Sequence, residues 1–474
     1  MTKNLCVYKK IKFFWSIILK GDGTKMVQRM KEKYLFTSKD LYKLIIPLVL
    51  EQLLEVIVGM SDSIMIASVG EEAVSGVSLM DNVYILLINI FAALATGGAV
   101  VIGQYMGRND IKKARESATQ LIWLMLFSAI GIMTLVYIGK EFILTIVFGD
   151  ITKEVYNHAN TYLMICSASI PFLAVYNGGA AIFRAQMNSK IPMLISCLMN
   201  AINVFGNAIL IFGFKFGTAG VAIPTLVSRM IAAFIIVYLL TKKSLQIHIN
   251  KTFKFKFNKH LIKKILHIGI PSGLENSMFQ LGKILVLSLV ASFGTSAIAA
   301  NAVSSNLCNF EILPGIAIGF AMVTVVSRCI GAGEIEQAKF FTKKLMKICY
   351  IALWCTNIRI FISLPLILKI YNLTPETSET ARNIILYHGV CSMLIWPLAF
   401  TISNTFRAAG DAQFPMIIGI ISMWTCRIAL SYVIGKNLGL GVFGVWVAMT
   451  IDWVVRTIFY VYRYLSGKWI KKAI

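Results

Sequence analysis

The sequence predicts an all-α integral membrane protein with twelve transmembrane helices in two six-helix lobes related by a parallel internal repeat. Three observations carry this reading. Of 474 residues, 57% are hydrophobic and only 14% are charged, against about 25% charged in soluble domains, and apolar runs of twenty or more residues recur along the chain. Basic residues gather in alternate connections between those runs. Landmark residues recur at a constant spacing, as duplication requires. A transmembrane β-barrel is disfavoured because the runs lack strict alternation.

Residues 1–40 form a basic cytoplasmic N-terminal extension. Its apolar patch, Phe13 to Leu19, is too short to span; it suits an interfacial segment, unless translation starts at Met26 or Met30. The N-lobe follows at 41–241, with spans at 41–69, 73–103, 117–139, 157–182, 192–213 and 219–241. A basic linker at 242–264 joins it to the C-lobe at 265–465. The C-lobe spans are 265–292, 296–327, 345–368, 383–405, 415–435 and 441–463, and residues 466–474 form a tail.

Lys and Arg cluster at Lys3–Lys43, Arg108–Arg115, Arg184–Lys190, Lys242–Lys264, Arg328–Lys347 and Arg463–Lys472. The intervening connections are sparse in both. This positive-inside pattern places both termini and the linker in the cytoplasm, in a cytoplasmic (inner) membrane protein. It also accounts for the net charge of +24 without nucleic acid as a partner. Nine scattered cysteines with no CxxC read as packing residues. The five histidines show no metal-ligand spacing. A GxGxxG match at Gly439–Gly444 follows no strand and reads as a turn. No constellation for catalysis emerges, so an enzyme is not expected.

Pro47, Glu51, Gly70, Asn82, Gly107 and Ala114 recur as Pro271, Glu275, Gly294, Asn306, Gly331 and Ala338. Phe-Arg-Ala at 183–185 recurs at 406–408. An even number of spans per half gives both halves the same orientation, a parallel repeat of the kind transporters use.

The first span carries Glu51, Glu55 and Asp62. At about 100° per residue, Asp62 falls about 20° from each glutamate, so the three form one stripe. Ionisable groups in hydrocarbon are costly, and such a face turns to a protein interior or a wet cavity. Glu51 belongs to the duplicated scaffold, since Glu275 answers it. Asp62 belongs to one lobe only, since its repeat mate is Val286. Asp62 is therefore the expected coupling group and Glu51 an auxiliary one. Arg229, four residues beyond Thr225, and Asp81 in the second span are expected near the same cavity. Asp452 and Arg456, spaced i,i+4, are expected to pair, and Arg359 and Arg427 to snorkel to an interface. Glu275, Tyr176, Met193 and Trp396 are expected to line a greasy, adaptable substrate cavity.

Five stretches together resemble the multidrug and toxic compound extrusion (MATE) transporters, in their bacterial DinF-like branch. They are VGMSDSIMIASVG in span one, ATGGAVVIGQYMGRNDIKKA leaving span two, FRAQMNSKIP between spans four and five, NAINVFGNAILIFG in span five, and IGIPSGLENSMFQLGKILVLSLVASFG in span seven. The resemblance covers residues 40 to 465. It implies two six-helix lobes forming a V. It also implies an antiporter, coupled to H⁺ or Na⁺, that exports small organic, often cationic, amphipathic compounds. No cofactor is implied beyond the coupling ion. The expected partners are those substrates and membrane lipids, and the expected state is a monomer.

In that branch the ion site lies in the N-lobe, at an aspartate on a bent first helix. Asp62 matches it, and the surrounding polar positions are Asn177, Asn203, Asn207 and Thr225. A Na⁺ there would sit among Asp62, Asn203 and Asn207. Span ten lacks an acid, so a complete C-lobe ion site of another branch is not expected. A lipid-linked saccharide flippase of the same superfamily is the alternative function; its lumen would be more cationic.

Overall fold

The computed structural model describes residues 34–149, 151–249 and 257–472. Among them, all regular structure is helical. The first half holds α1 (Ser38–Ala67), α2 (Glu71–Gly107), α3 (Ile111–Ile138), α4 (Lys153–Ala168 and Ile170–Ala185), α5 (Lys190–Gly213) and α6 (Ala219–Leu240). The second holds α7 (Lys259–Ala291), α8 (Thr295–Gly331), α9 (Ile335–Ile370), α10 (Pro375–Leu394 and Pro397–Ala408), α11 (Gln413–Asn437) and α12 (Gly441–Leu465). Ten are long and apolar enough to cross a membrane singly, and the two bent helices α4 and α10 bring the total among the described residues to 12. The protein is a multi-pass membrane protein. The interfacial patch at Phe13–Leu19 and the alternative starts lie outside the described residues, as do residues 250–256 of the linker.

Local chemistry explains the breaks. The segments of α4 meet at 46° and those of α10 at 57°. In each, a proline in the first turn of the second segment, Pro171 or Pro397, lacks an N–H, so the backbone hydrogen bond that would carry the first segment through the break is missing. A capping box starts α1, where Thr37 Oγ1 accepts the Asp40 N–H and the Asp40 carboxylate accepts the Thr37 N–H. Thr152 and Thr374 cap α4 and α10. The α1–α2 and α7–α8 turns need positive φ, which Gly70 (142°) and Gly294 (97°) supply. The recurrence of this glycine in the sequence is thus the recurrence of one turn.

The two halves are laced together at their first helices. Leu41, Leu44 and Leu48 of α1 pack into the core of the second half, against residues such as Phe341 and Leu345. Leu261, Ile265 and Ile268 of α7 pack into the core of the first half, with Leu94 and Leu121. Each half thus opens with a helix that starts inside the other half's core and crosses back.

At the end bearing the basic connections, α2 and α8 touch through glycine. A Cβ on Gly107 would lie 2.2 Å from the Arg328 carbonyl oxygen, and one on Gly331 would lie 2.1 Å from that of Gln104. Gln104 Nε2 also donates to the Ala408 carbonyl at 2.9 Å. This seam joins the halves at the basic end.

Candidate functional site

The N-half cluster is built by α1, α5 and α6. Close packing of α5 on α6 depends on Gly206, where a Cβ would meet Pro224 at 2.7 Å. That approach lets Asn203 Nδ2 donate to Thr225 Oγ1 at 2.9 Å. One turn on, Asn207 Nδ2 donates to Asp62 Oδ1 at 2.6 Å and to Asn203 Oδ1 at 3.3 Å. Thr225 passes its own hydroxyl proton to the Val221 carbonyl. Asn203, Asn207 and Thr225 are buried and Asp62 is half-buried. Asn207 Oδ1 is buried with no hydrogen-bond partner. An unused acceptor beside a carboxylate fits either a proton carried by Asp62 or a hard cation held between the two oxygens.

Other predicted residues frame this cluster at a distance. Asp81 on α2 accepts the Tyr162 hydroxyl at 3.1 Å. Arg229 on α6 donates to Ser169 Oγ at 2.8 Å. Both act on Asp62 through space without a direct bond to it. Asn177 is half-buried, and its Nδ2 has no hydrogen-bond partner. Glu55 is exposed and accepts from Gln52.

Glu51 stands apart from Asp62. Its Oε1 takes Arg184 Nη2 at 2.8 Å. In the second half Glu275 Oε2 takes Arg407 Nη2 at 2.6 Å. The two strongest repeat signals, Pro-x-x-x-Glu and Phe-Arg-Ala, are therefore the two ends of one ion pair, built once per half. Tyr176, whose hydroxyl donates to the Pro192 carbonyl at 3.2 Å, lies beside the Glu51–Arg184 pair, and Met193 follows Pro192. Breaking a buried pair by removing one partner strands the other charge. Arg184→Ala is expected to destabilise the protein by about 3–5 kcal/mol; thermal unfolding in nanodiscs reads this. The double variant Arg184→Ala/Glu51→Leu should recover part of the loss, and an unshifted single variant would refute the pairing's role.

The second half encloses a cavity of about 600 Å³ between α2 and helices α7, α8 and α10–α12. Its lining includes Glu275 and Trp396, whereas Asp81, Arg229, Tyr176 and Met193 are not among its lining residues. Asp452 takes Arg456 at 2.9 Å, the expected i,i+4 pair. Arg427 departs from expectation. Rather than snorkelling to an interface it is only 9% exposed, lines the cavity and lies 5.0 Å from the Phe279 ring centre. Its helix presents it to α7, a packing that sequence spacing does not show.

Sequence reasoning also missed a buried group in this half. His388 Nδ1 and Glu311 Oε2 share a short hydrogen bond, and ligand atoms of Cys308, Glu311 and His388 lie within 4.8 Å of one another. The three come from α8 and α10, so no local spacing announces them.

Comparison with known proteins places this geometry. The MatE family model matches residues 47–209 and 271–433, one match per half. The chain is 27% identical over 459 residues to a probable multidrug resistance protein NorM of Thermotoga maritima, covering 94% of this chain and 96% of that one. It is 28% identical over 443 residues to the uncharacterized transporter YisQ of Bacillus subtilis, covering 91% and 95%. Among solved structures, the outward-facing conformation of a multidrug resistance MATE family transporter of the MOP superfamily matches with a TM-score of 0.85 at 20% identity, over 92% of this chain and 97% of that one. A MATE structure in the bent conformation matches with a TM-score of 0.84 over 95% and 99%. The two-lobe fold is thus shared, and the family's members are transporters, not enzymes. With both repeats matched and the fold in common, this chain belongs to the MatE family of multidrug efflux transporters.

Proposed function

We propose that the protein is an alternating-access exporter of small amphipathic compounds, coupled to inward H⁺ or Na⁺ at Asp62. The observation that carries this is the hydrogen-bonded set Asp62–Asn207–Asn203–Thr225, with the unused Asn207 oxygen beside the carboxylate. A carboxylate in such surroundings gains most from a bound cation, and binding there biases one lobe packing over another. The basic end with its linker and both termini faces the cytoplasm in this reading, and the Gly107–Gly331 seam is the inner closure. The N-lobe (41–241) and C-lobe (265–465) act as the two moving bodies, joined by the 242–264 linker.

Efflux from proteoliposomes with the H⁺ and Na⁺ gradients imposed separately tests the proposal. One gradient alone should drive net export, and collapsing it should stop export. Export indifferent to both gradients would overturn the coupling. The flippase alternative draws its support from the charge of the second-half cavity, where, among the described residues, Glu275 is the one lining carboxylate facing Lys283, Arg407, Arg427 and Arg456.

A further inference from the structure

The charge of that cavity deepens the reading of it as the substrate path, on which this inference rests. Four cationic side chains line it, Lys283, Arg407, Arg427 and Arg456. The carboxylates that answer them among the described residues are Glu275 and Asp452. Glu275 is engaged by Arg407 at 2.6 Å and Arg456 at 3.8 Å, and Asp452 by Arg456 at 2.9 Å. Glu311 is taken up by His388. Arg427 and Lys283 are left with no ion-pair partner among the described residues. Arg427 is only 9% exposed and its Nε is buried without a hydrogen-bond acceptor. Lys283 is exposed into the cavity.

These two side chains converge on one ring. The Lys283 ammonium lies 5.5 Å from the centre of Phe279, and the Arg427 and Arg456 guanidiniums lie 5.0 and 5.7 Å from it. A ring face offers each cation only a weak contact. Two unpaired cations in a membrane interior are costly, and an anion between them removes that cost. Arg and Lys together make a strong receiver for phosphate or carboxylate oxygens. The stacked rings of Trp396 and Phe400, 5.2 Å apart, add an aromatic wall to the same cavity, and Phe400 lies 5.3 Å from the Arg456 guanidinium. The opposite half shows the inverse polarity: α5, the repeat counterpart of the α11 that carries Arg427, presents Asn203 and Asn207 to an aspartate.

We infer that the substrate of this cavity is an amphipathic anion, an apolar body bearing a phosphate or carboxylate seated between Lys283 and Arg427. The anion is either a membrane lipid headgroup or a soluble compound, and the chemistry of recognition is the same for both.

The test is equilibrium binding to the full chain in phosphatidylcholine nanodiscs, read by tryptophan fluorescence. Two probes with one tail and opposite heads are used, decyl phosphate and decyltrimethylammonium. Decyl phosphate should bind more tightly by about tenfold or more, the scale of a charge-assisted hydrogen bond. Lys283→Met and Arg427→Gln should each weaken it by a similar factor, and Lys283→Arg should restore it. Melting curves of the same variants confirm folding. Nanodiscs doped with phosphatidylglycerol separate the sources: competition supports a lipid headgroup, and its absence with retained phosphate binding supports a soluble anion. Equal or tighter binding of the ammonium probe, or phosphate affinity unchanged in both folded variants, would overturn the inference. Binding does not require transport, so an Asp62→Asn protein that binds the phosphate probe but fails to export separates failure of the coupling site from failure of this one.

Discussion

Asp62→Asn is expected to abolish gradient-driven export while leaving the amount of folded protein in the membrane unchanged. The substitution keeps the shape of the side chain. The oxygen that accepts from Asn207 Nδ2 at 2.6 Å is retained, and a charge is removed from a half-buried position, so the fold has no reason to suffer. What disappears is a group able to change charge or to hold a cation. A ligand shifts a two-state equilibrium only by its differential affinity for the two states. With no differential binding at position 62, the coupling free energy, typically about 1–3 kcal/mol, falls to zero. Passive exchange down a substrate gradient should survive. Asn203→Ala should be milder, since it leaves Asp62 in place and removes only the supporting bonds to Asn207 and Thr225, each worth about 1 kcal/mol. Export measured against an imposed gradient, with protein level and melting curve in parallel, decides the matter; full export by Asp62→Asn would exclude it as the coupling group.

Much of this architecture was legible in the sequence because its causes are local. Apolar runs bounded by loops gave twelve spans, since a bilayer leaves a helix no alternative. The turn glycines Gly70 and Gly294 were visible because only glycine takes those φ values readily. Asn203 and Asn207 lie one turn apart on α5, and the structure joins Asn207 to Asp62 directly and Asn203 to it through Asn207. What stayed hidden depends on which helix meets which. The Glu51–Arg184 pair joins residues 133 positions apart, so its two halves registered as separate repeat signals. The exchange of first helical turns between halves leaves no trace in hydropathy, because an apolar residue reads the same in either core. Lys283, Arg427 and Arg456 were each legible as cations in spans, but their convergence on Phe279 needs three helices in place.

Gly331→Ala combined with Gly107→Ala should hold the halves apart at the basic end and suppress export even though Asp62 is intact. An added Cβ at Gly331 would lie 2.1 Å from Gln104 O and 2.6 Å from Gln104 C, and one at Gly107 would lie 2.2 Å from Arg328 O. These neighbours are backbone, so no side-chain rotation relieves the clash; the helices must separate. Overpacking of this kind costs typically about 1–3 kcal/mol per site. Two such sites contribute about 2–6 kcal/mol against the closed packing, where a complete reversal from 99:1 to 1:99 takes about 5.5 kcal/mol, so the population shifts toward the open packing. The penalty falls only on the packing in which α2 touches α8, so the protein should fold and favour the alternative packing. Spin labels at the repeat-related exposed positions Lys112 and Glu336 report the separation, and their distance distribution should lengthen in the double variant. Gly59→Ala supplies the control, since nothing lies within 4 Å of a Cβ there; it should change neither distance nor export. An unchanged distance with normal export in the double variant would mean that the seam is not a closure, and that alternation in this transporter runs through some other contact between the halves.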